Sequence, residues 1–201
     1  IPKSLTPGPL KDDSQNRFIR FILYLSNGKQ LGLSDLRRFA KALLVDTDKV
    51  KELKEIKELG PEPLEKDFNF NKFKEVICKK RGRIKQVLMN PSVIAGIGNI
   101  YSDEILWYSR IHPLKRTEKL KDKELKNIYS AIQKVLKMGI EAKGDSMQDY
   151  RRLSGELGSY QYKQKAYQMM GKKCPRNDGG VFERIKIGGR SAHFCPVCQK
   201  L

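Results

Sequence analysis

Two apolar runs near the start of the chain predict a β-hairpin. The runs are joined by Ser26-Asn27-Gly28-Lys29, and Asn-Gly is a strong short-range signal for a two-residue turn between antiparallel strands. We therefore expect strands at about Phe18–Leu25 and Lys29–Ser34, and a third near Phe39–Val45. Three short strands cannot bury both of their faces, so this part of the chain reads as the remnant of a larger sheet.

Further along, to Lys143, the apolar period becomes helical. The helices are predicted from Phe73, Val76 and Ile77, from Ile84, Val87 and Leu88, from the segment after Gly98 to about Ser109, and from Asp122–Ala142. The apolar stripe of the longest helix comprises Leu125, Ile128, Ile132, Val135 and Ile140. Cys78 falls within the first helical pattern, and we expect it in the core.

The remaining segments divide the chain. Leu59-Gly60-Pro61-Glu62-Pro63-Leu64 reads as a connection between domains, and Gly144–Tyr162 reads as a long loop. Val181–Ile187 and Arg190–Phe194 flank Gly188-Gly189, which predicts a second hairpin. We predict an α+β fold with a partial N-terminal β domain (1–45), a linker (46–68), a helical domain (69–158) and a hairpin unit (159–201).

The charge balance points to a polyanionic partner. Lysine and arginine number 41 against 23 acidic residues, a net charge of +18. Such an excess attracts nucleic acid, and the binding weakens with salt because each neutralised phosphate releases counterions. The alternative is a basic surface with no role beyond solubility. With no apolar run of 18 residues and no signal pattern, and with few cysteines, we expect an intracellular protein.

The most specific stretch runs from Asn90 to Glu104. Gly96 and Gly98 let the backbone approach another group closely, and a helix is predicted to open directly after them. The free N–H groups at a helix N-terminus form an anion site, here for a phosphate, to which the amide of Asn99 could also donate. Alternatively, Asn99 is a simple N-cap and the glycines form a tight turn between packed helices.

Three cysteines near the C-terminus, Cys174, Cys195 and Cys198, have the spacing expected of a tetrahedral zinc site. A C-x2-C pair after a hairpin turns both thiolates toward one point. The matching first pair is incomplete, because position 177 is asparagine. Asp178 or a water molecule could supply the fourth ligand, and on that basis we predict one zinc ion. The alternative is a hairpin held by packing alone, with ordinary reduced thiols.

Taken in order, these segments resemble the formamidopyrimidine-DNA glycosylase family. Lys85–Glu104 is similar to the family's helix–two-turns–helix motif, and the connection at 59–64 to its interdomain segment. Asp35-Leu36-Arg37-Arg38-Phe39 resembles a family strand segment, and Ile187–Gln199 its zinc-finger hairpin. The similar segments extend from about Arg17 to the end of the chain.

The resemblance implies a fold, a function and a role for particular residues. The strands would belong to an N-terminal β-sandwich, and the full-length protein would recognise oxidised purines in duplex DNA, flip them out and act as N-glycosylase and AP lyase. Asn99 and Arg190, with Gly98, would bind the phosphates that flank the lesion. Arg37 would face the orphaned base, with Phe39 as a wedge beside it. Loop residues around 153–162 would close over the flipped base.

The chain departs from the family in ways that matter for chemistry. Family members use an N-terminal proline amine, an adjacent glutamate and a strand lysine, whereas Pro2 here is not terminal. We therefore expect no catalytic residue in this chain and no activity from it alone. A non-catalytic DNA- or RNA-binding module is the main alternative, since a similar motif occurs in a ribosomal protein. A zinc-ribbon interaction protein is the weaker one. We expect a monomer that binds damaged duplex DNA and no membrane, in the bacterial cytoplasm at the nucleoid.

Overall fold

A computed structural model describes residues 14–147, 150, 152 and 156–201. Its strands and helices are β1 (Ile19–Tyr24), β2 (Gln30–Ser34), α1 (Lys54–Lys57), α2 (Phe70–Cys78), α3 (Ile84–Leu88), α4 (Asn99–Ser109), α5 (Asp122–Glu141), β3 (Glu183–Ile187) and β4 (Arg190–Phe194). Short 3-10 turns lie at Ser14–Phe18, Thr47–Glu52, Thr117–Lys119 and Tyr160–Tyr162. The strands pair as β1–β2 and β3–β4, both antiparallel. The predicted α+β class is confirmed.

The first hairpin forms where the two apolar runs and the Asn-Gly turn predicted it. Leu23 pairs with Leu31 and Tyr24 with Gln30, and Gly28 closes the turn with a φ of 76° that glycine adopts without strain. The predicted third strand at Phe39–Val45 is wrong, because residues 40–46 have no regular structure. β1–β2 offers this segment no strand partner in the described chain, and the segment's apolar side chains remain exposed.

We call residues 14–58 the N-terminal region and residues 59–201 the body. In the N-terminal region, none of the residues from 16 to 58 is buried. Large apolar side chains on both strands and on the following segment lie open to solvent, namely Phe21, Leu23, Tyr24, Leu31, Leu33, Phe39, Leu43 and Leu44. The apolar pattern of this region therefore has no core to face within the described chain.

The body is built around α4 and α5, which pack against each other. The buried face of α5 consists of Leu125, Ile128, Ala131, Ile132, Val135, Leu136 and Gly139. A Cβ at Gly139 would lie 2.6 Å from the Tyr101 hydroxyl of α4, so a larger residue there would have to displace that ring. The Glu124 carboxylate accepts a hydrogen bond from the backbone N–H of Lys121 at the start of α5 (2.9 Å), which satisfies one of its free donors.

Two predicted core residues are not buried. Cys78 is exposed at the last position of α2, because the buried side chains of that helix, Phe73 and Ile77, lie on another face. Ile140 is 67% exposed, since the last turn of α5 turns Gly139 rather than Ile140 toward α4. Both predictions were therefore wrong, although the helices that carry these residues were placed correctly.

The Gly/Pro connection lies directly against the body. The Gly60 N–H donates to the Pro91 carbonyl (2.8 Å), and the Ala95 N–H donates to the Pro61 carbonyl (3.2 Å). A Cβ on Gly60 would lie 2.5 Å from the backbone of Val93, so only glycine fits this contact. The connection is thereby fixed against the loop that precedes α4.

The C-terminal hairpin forms as the glycine pair predicted. β3 and β4 pair in register from Glu183–Phe194 to Ile187–Arg190. Gly188 and Gly189 both have positive φ, 55° and 79°, which fits the twist of a two-residue turn. β4 packs against α4, so the hairpin is docked on the helical core.

Candidate nucleic-acid interface

The N-terminus of α4 is open and supplies polar groups. Gly98 is the N-cap and has no side chain, so Asn99 is the first residue of the helix rather than its cap. The simple N-cap interpretation of Asn99 is therefore wrong. The Asn99 Oδ1 atom is buried, and it has no hydrogen-bond partner in the described part of the chain. This oxygen is an acceptor and needs a hydrogen-bond donor, whereas the groups here that suit a phosphate are the backbone N–H groups at the helix start and the NH2 of the Asn99 side chain.

A buried charged cluster joins three elements beneath this helix start. Lys85 on α3 is fully buried, and its Nζ forms an ion pair with the Asp103 carboxylate on α4. The second oxygen of Asp103 accepts the backbone N–H of His193 on β4 (3.0 Å) and lies 2.9 Å from its Nδ1. We call these three residues the Lys85–Asp103–His193 cluster. It ties α3 and α4 to the C-terminal hairpin.

The electrostatics of the cluster follow from burial. Burial lowers the pKa of Lys85, while the adjacent Asp103 carboxylate favours the charged ammonium and opposes that shift. Lys85 Nζ also lies 3.5 Å from the carbonyl oxygen of Asn99. The buried lysine is thus within reach of the backbone of the residue that opens α4.

The hairpin tip lies beside the same segment. Gln86, next to Lys85, touches the turn so closely that a Cβ on Gly188 would lie 2.4 Å from its Nε2. Arg190 follows this turn and is exposed. Two groups that suit a phosphate, the start of α4 and the Arg190 guanidinium, are therefore presented from elements that pack on each other.

Arg37 and Phe39 come together on an exposed loop rather than in the strand that the sequence predicted. The Asp35 carboxylate accepts the backbone N–H groups of Arg37 (2.9 Å), Arg38 (2.9 Å) and Ala40 (2.6 Å), which folds the loop around it. Hydrogen bonds from Ala40 and its neighbours lower the pKa of Asp35. Phe39 is 77% exposed, and the Arg37 guanidinium lies 5.6 Å from its ring. The loop presents the Phe39 ring and the neighbouring Arg37 guanidinium to solvent.

A second carboxylate anchors the segment that follows the long loop. Glu104 is fully buried and accepts the backbone N–H groups of Lys165, Ala166 and Tyr167 at 2.8–3.1 Å. Burial raises the pKa of Glu104, although these three donors oppose the shift. Tyr160, predicted as part of a closing loop, is instead buried against Tyr101 with ring centroids 4.9 Å apart. Residues 153–155 of that prediction lie outside the described residues.

The cysteine cluster forms as expected. Ligand atoms of Cys174, Asp178, Cys195 and Cys198 all lie within 4.8 Å of one another. Three thiols and one carboxylate around one point are donors that zinc accepts, so the residues present fit one zinc ion. The backbone of Gly180 packs directly against this cluster, because a Cβ on Gly180 would lie 2.3 Å from the Cys195 sulfur.

Sequence reasoning missed the Lys85–Asp103–His193 cluster and Glu104. The available signal was Lys85 itself, which lies between Ile84 and Val87 in an apolar pattern and yet carries a charge. A charged residue in that position needs a buried counterion. The partners could not be named, since Asp103 and His193 are far away in the sequence, with His193 90 residues beyond Asp103.

Two family models match the chain. The formamidopyrimidine-DNA glycosylase H2TH domain matches residues 59–151. A zinc finger found in FPG and IleRS matches residues 171–201. Together they cover the open helix start and the cysteine cluster.

Curated relatives and solved structures agree with these models. The chain is 41% identical over 189 residues to the formamidopyrimidine-DNA glycosylase of Pelotomaculum thermopropionicum, covering 94% of this chain and 68% of that protein. It resembles the Lactococcus lactis Fpg in complex with abasic-site DNA (TM-score 0.78, 37% identity, 86% of this chain). It also resembles the MutM (FPG) protein of Thermus thermophilus (TM-score 0.83, 33% identity, 97% of this chain).

The match covers about two thirds of each relative. The chain spans 64% of the Desulforamulus reducens formamidopyrimidine-DNA glycosylase, 63% of the Lactococcus lactis chain and 70% of the Thermus thermophilus chain. In the described residues no helix has both the length and the apolar character to cross a membrane.

Proposed function

The chain belongs to the formamidopyrimidine-DNA glycosylase family, and on that premise we propose that it binds duplex DNA containing an oxidised purine. In this proposal it grips the damaged strand through phosphates on either side of the lesion and favours extrusion of the damaged nucleotide. The full-length protein completes the reaction as N-glycosylase and AP lyase. It acts as a monomer on chromosomal DNA in the cytoplasm.

One observation carries the proposal: α4 and the hairpin are joined by the Lys85–Asp103–His193 cluster, and the turn of the hairpin lies against Gln86 beside Lys85. Gly98 and Asn99 offer backbone and side-chain polar groups, and Arg190 offers an exposed guanidinium. Hydrogen bonds to charged groups contribute about 1.5–3 kcal/mol each, so two such contacts give useful affinity. Their docking on one core supports binding to neighbouring phosphates of one bent strand.

The loop that carries Arg37 and Phe39 is suited to the base opposite the lesion. An exposed aromatic ring can enter the space left by an extruded nucleotide, and so offset an unstacking cost of roughly a few kcal/mol. The nearby Arg37 guanidinium can hydrogen-bond the orphaned base. These two side chains favour damaged DNA over the alternative of a simple RNA-binding module, which needs no wedge.

Lesion binding by the Arg190→Ala variant tests the clamp. We expect affinity for an oxidised-guanine duplex to fall about 10- to 100-fold, with the salt-dependence slope reduced by about one. Arg184→Ala is the matched control, because Arg184 is exposed on β3 of the same hairpin. Equal affinities for the two variants at fixed salt would remove Arg190 from the clamp.

Borohydride trapping separates binding from chemistry. We assign no catalytic residue to the described part of the chain, and we expect a stable complex with the lesion duplex and no covalent adduct. A trapped adduct would show that an amine of this chain forms a Schiff base. Equal affinity for lesion and undamaged duplexes would instead favour a nucleic-acid-binding module without damage recognition.

A further inference from the structure

The first half of the cysteine cluster has an unusual spacing. Three residues separate Cys174 from Asp178, whereas two separate Cys195 from Cys198. Asn177, at the position that a C-x2-C pair would use, is exposed and has a left-handed backbone with φ of 54°. Its N–H donates to the Cys174 carbonyl (3.0 Å). Asn177 thus closes the turn and leaves the next residue to face the cluster.

Asp178 is held in the position of a ligand. Its Oδ1 accepts the backbone N–H of Gly180 (2.9 Å), and both carboxylate oxygens lie 3.6 Å from the Cys195 sulfur. Zinc bonds of about 2.3 Å to sulfur and about 2.1 Å to oxygen, at a tetrahedral angle, require a sulfur–oxygen separation of about 3.6 Å. The observed separation fits two ligands of one zinc ion.

The two glycines after Asp178 are needed for this arrangement of the cluster. A Cβ on Gly180 would lie 2.3 Å from the Cys195 sulfur and 2.9 Å from Asp178 Oδ1. Gly179 has a φ of 80°, a backbone conformation that residues other than glycine rarely adopt. The turn Asn177-Asp178-Gly179-Gly180 therefore places a carboxylate oxygen of Asp178 beside the sulfur atoms of Cys174, Cys195 and Cys198.

We propose that the hairpin binds zinc through three thiolates and one carboxylate oxygen, with Asp178 as the fourth ligand in place of a cysteine or water. The extra residue in the spacing is what directs Asp178, rather than position 177, at the metal. This ligand set does not depend on lesion binding. An oxygen is a harder donor than a thiolate, so the site is less selective for soft metals than an all-cysteine site.

X-ray absorption of the zinc-loaded chain tests which position faces the metal. We expect three sulfurs at about 2.3 Å and one oxygen at about 2.0–2.2 Å for the natural sequence. Asp178→Cys should raise the count to four sulfurs, whereas Asn177→Cys should leave it at three. Four sulfurs in Asn177→Cys with three in Asp178→Cys would overturn the proposal, as would less than one zinc per chain.

Metal affinity distinguishes the carboxylate from water as the fourth ligand. In competition with a chelator, Asp178→Ala should bind zinc at least tenfold more weakly, while Asn177→Ala should match the natural chain. Circular dichroism of each metal-loaded variant checks that α4 and α5 are retained. Equal zinc affinity for Asp178→Ala and the natural chain would mean that water completes the site and that the proposal is wrong.

Discussion

The N-terminal region and the body carry comparable apolar patterns but reach opposite degrees of burial. Leu23 and Leu31 pair across β1–β2 and are still 45% and 44% exposed. Ile128 and Ile132 on α5 are completely buried. In the body, α4 presents an apolar face to α5, whereas the strands of the N-terminal region have no packed layer over them in the described chain.

The difference in burial between the two regions shows that an apolar pattern determines local structure but not burial. Alternation or helical period is enough to form a hairpin or a helix locally, because turn residues and backbone hydrogen bonds act over a few residues. Burial requires a second apolar surface, and it provides about 25 cal/mol per Å² of apolar area removed from water. The body therefore carries the stability of the described chain, and substitutions should separate the two regions.

The largest expected effect is at the cluster beneath the interface. Asp103→Leu leaves the buried Lys85 ammonium without its counterion and should cost about 3–5 kcal/mol in the free energy of unfolding. The double variant Lys85→Met/Asp103→Leu should be less destabilised than the single one. Urea denaturation measures both. A single variant as stable as the natural chain would mean that the buried pair contributes nothing to the body.

The next largest effect compares one core side chain with one strand side chain. Ile128→Ala removes fully buried methyl groups and should cost about 2–5 kcal/mol. Leu23→Ala, in a half-exposed position, should cost less than about 1 kcal/mol. The same urea titrations measure both variants. Similar losses would show that the two side chains are equally well packed and that the strands are covered in solution.

Replacing one glycine in each region by alanine should give a smaller difference in stability between the body and the N-terminal region. Gly60→Ala forces a Cβ to within 2.5 Å of the Val93 backbone and should cost about 1–3 kcal/mol. Gly32→Ala on β2 meets only the Ile19 side chain at 3.5 Å, and should be neutral or stabilising by up to about 1 kcal/mol. Thermal unfolding of the two variants measures the difference. Equal midpoints would show that the connection is not fixed against the body.

The smallest expected effect is at the surface of the body. Hydrogen bonds from the Glu118 backbone N–H and from Arg116 lower the pKa of Glu118 from 4.5 to about 2. Because the folded pKa is the lower one, the stabilisation is present above pH 4.5 and is lost as the pH falls toward 2. Unfolding midpoints of the natural chain and Glu118→Gln should therefore differ at neutral pH and converge in acid. A constant difference would contradict this assignment.

Local signals in the sequence predicted most of the elements. α5 was expected at Asp122–Ala142 and is observed at Asp122–Glu141, since its apolar stripe repeats along the whole helix. Both hairpins were predicted from their Asn-Gly and Gly-Gly turns. The strand at Phe39–Val45 was predicted from apolar content alone, and it failed because strands need partners as well as composition.

The interface was less predictable than the fold. The helix start at Asn99 and the hairpin arginine at Arg190 were recognisable as motifs, but nothing in the sequence indicated how they are held together. That depends on Lys85, Asp103 and His193, which converge only when α3, α4 and β4 have packed. Cys78 was also not predictable from the pattern alone. It lies within an apolar pattern, but the packing of α2 leaves it on the solvent-exposed face of the helix.

The cluster also constrains how the gene can drift. Residues 85, 103 and 193 are far apart in the sequence, yet Lys85 and His193 both contact the carboxylate of Asp103. Each position therefore limits the substitutions that the other two can accept. If Asp103 were replaced first, the buried Lys85 ammonium would have no counterion until position 85 changed as well. The single variant would be less stable and therefore selected against. Positions 85, 103 and 193 are therefore expected to be inherited as a set and replaced as a set.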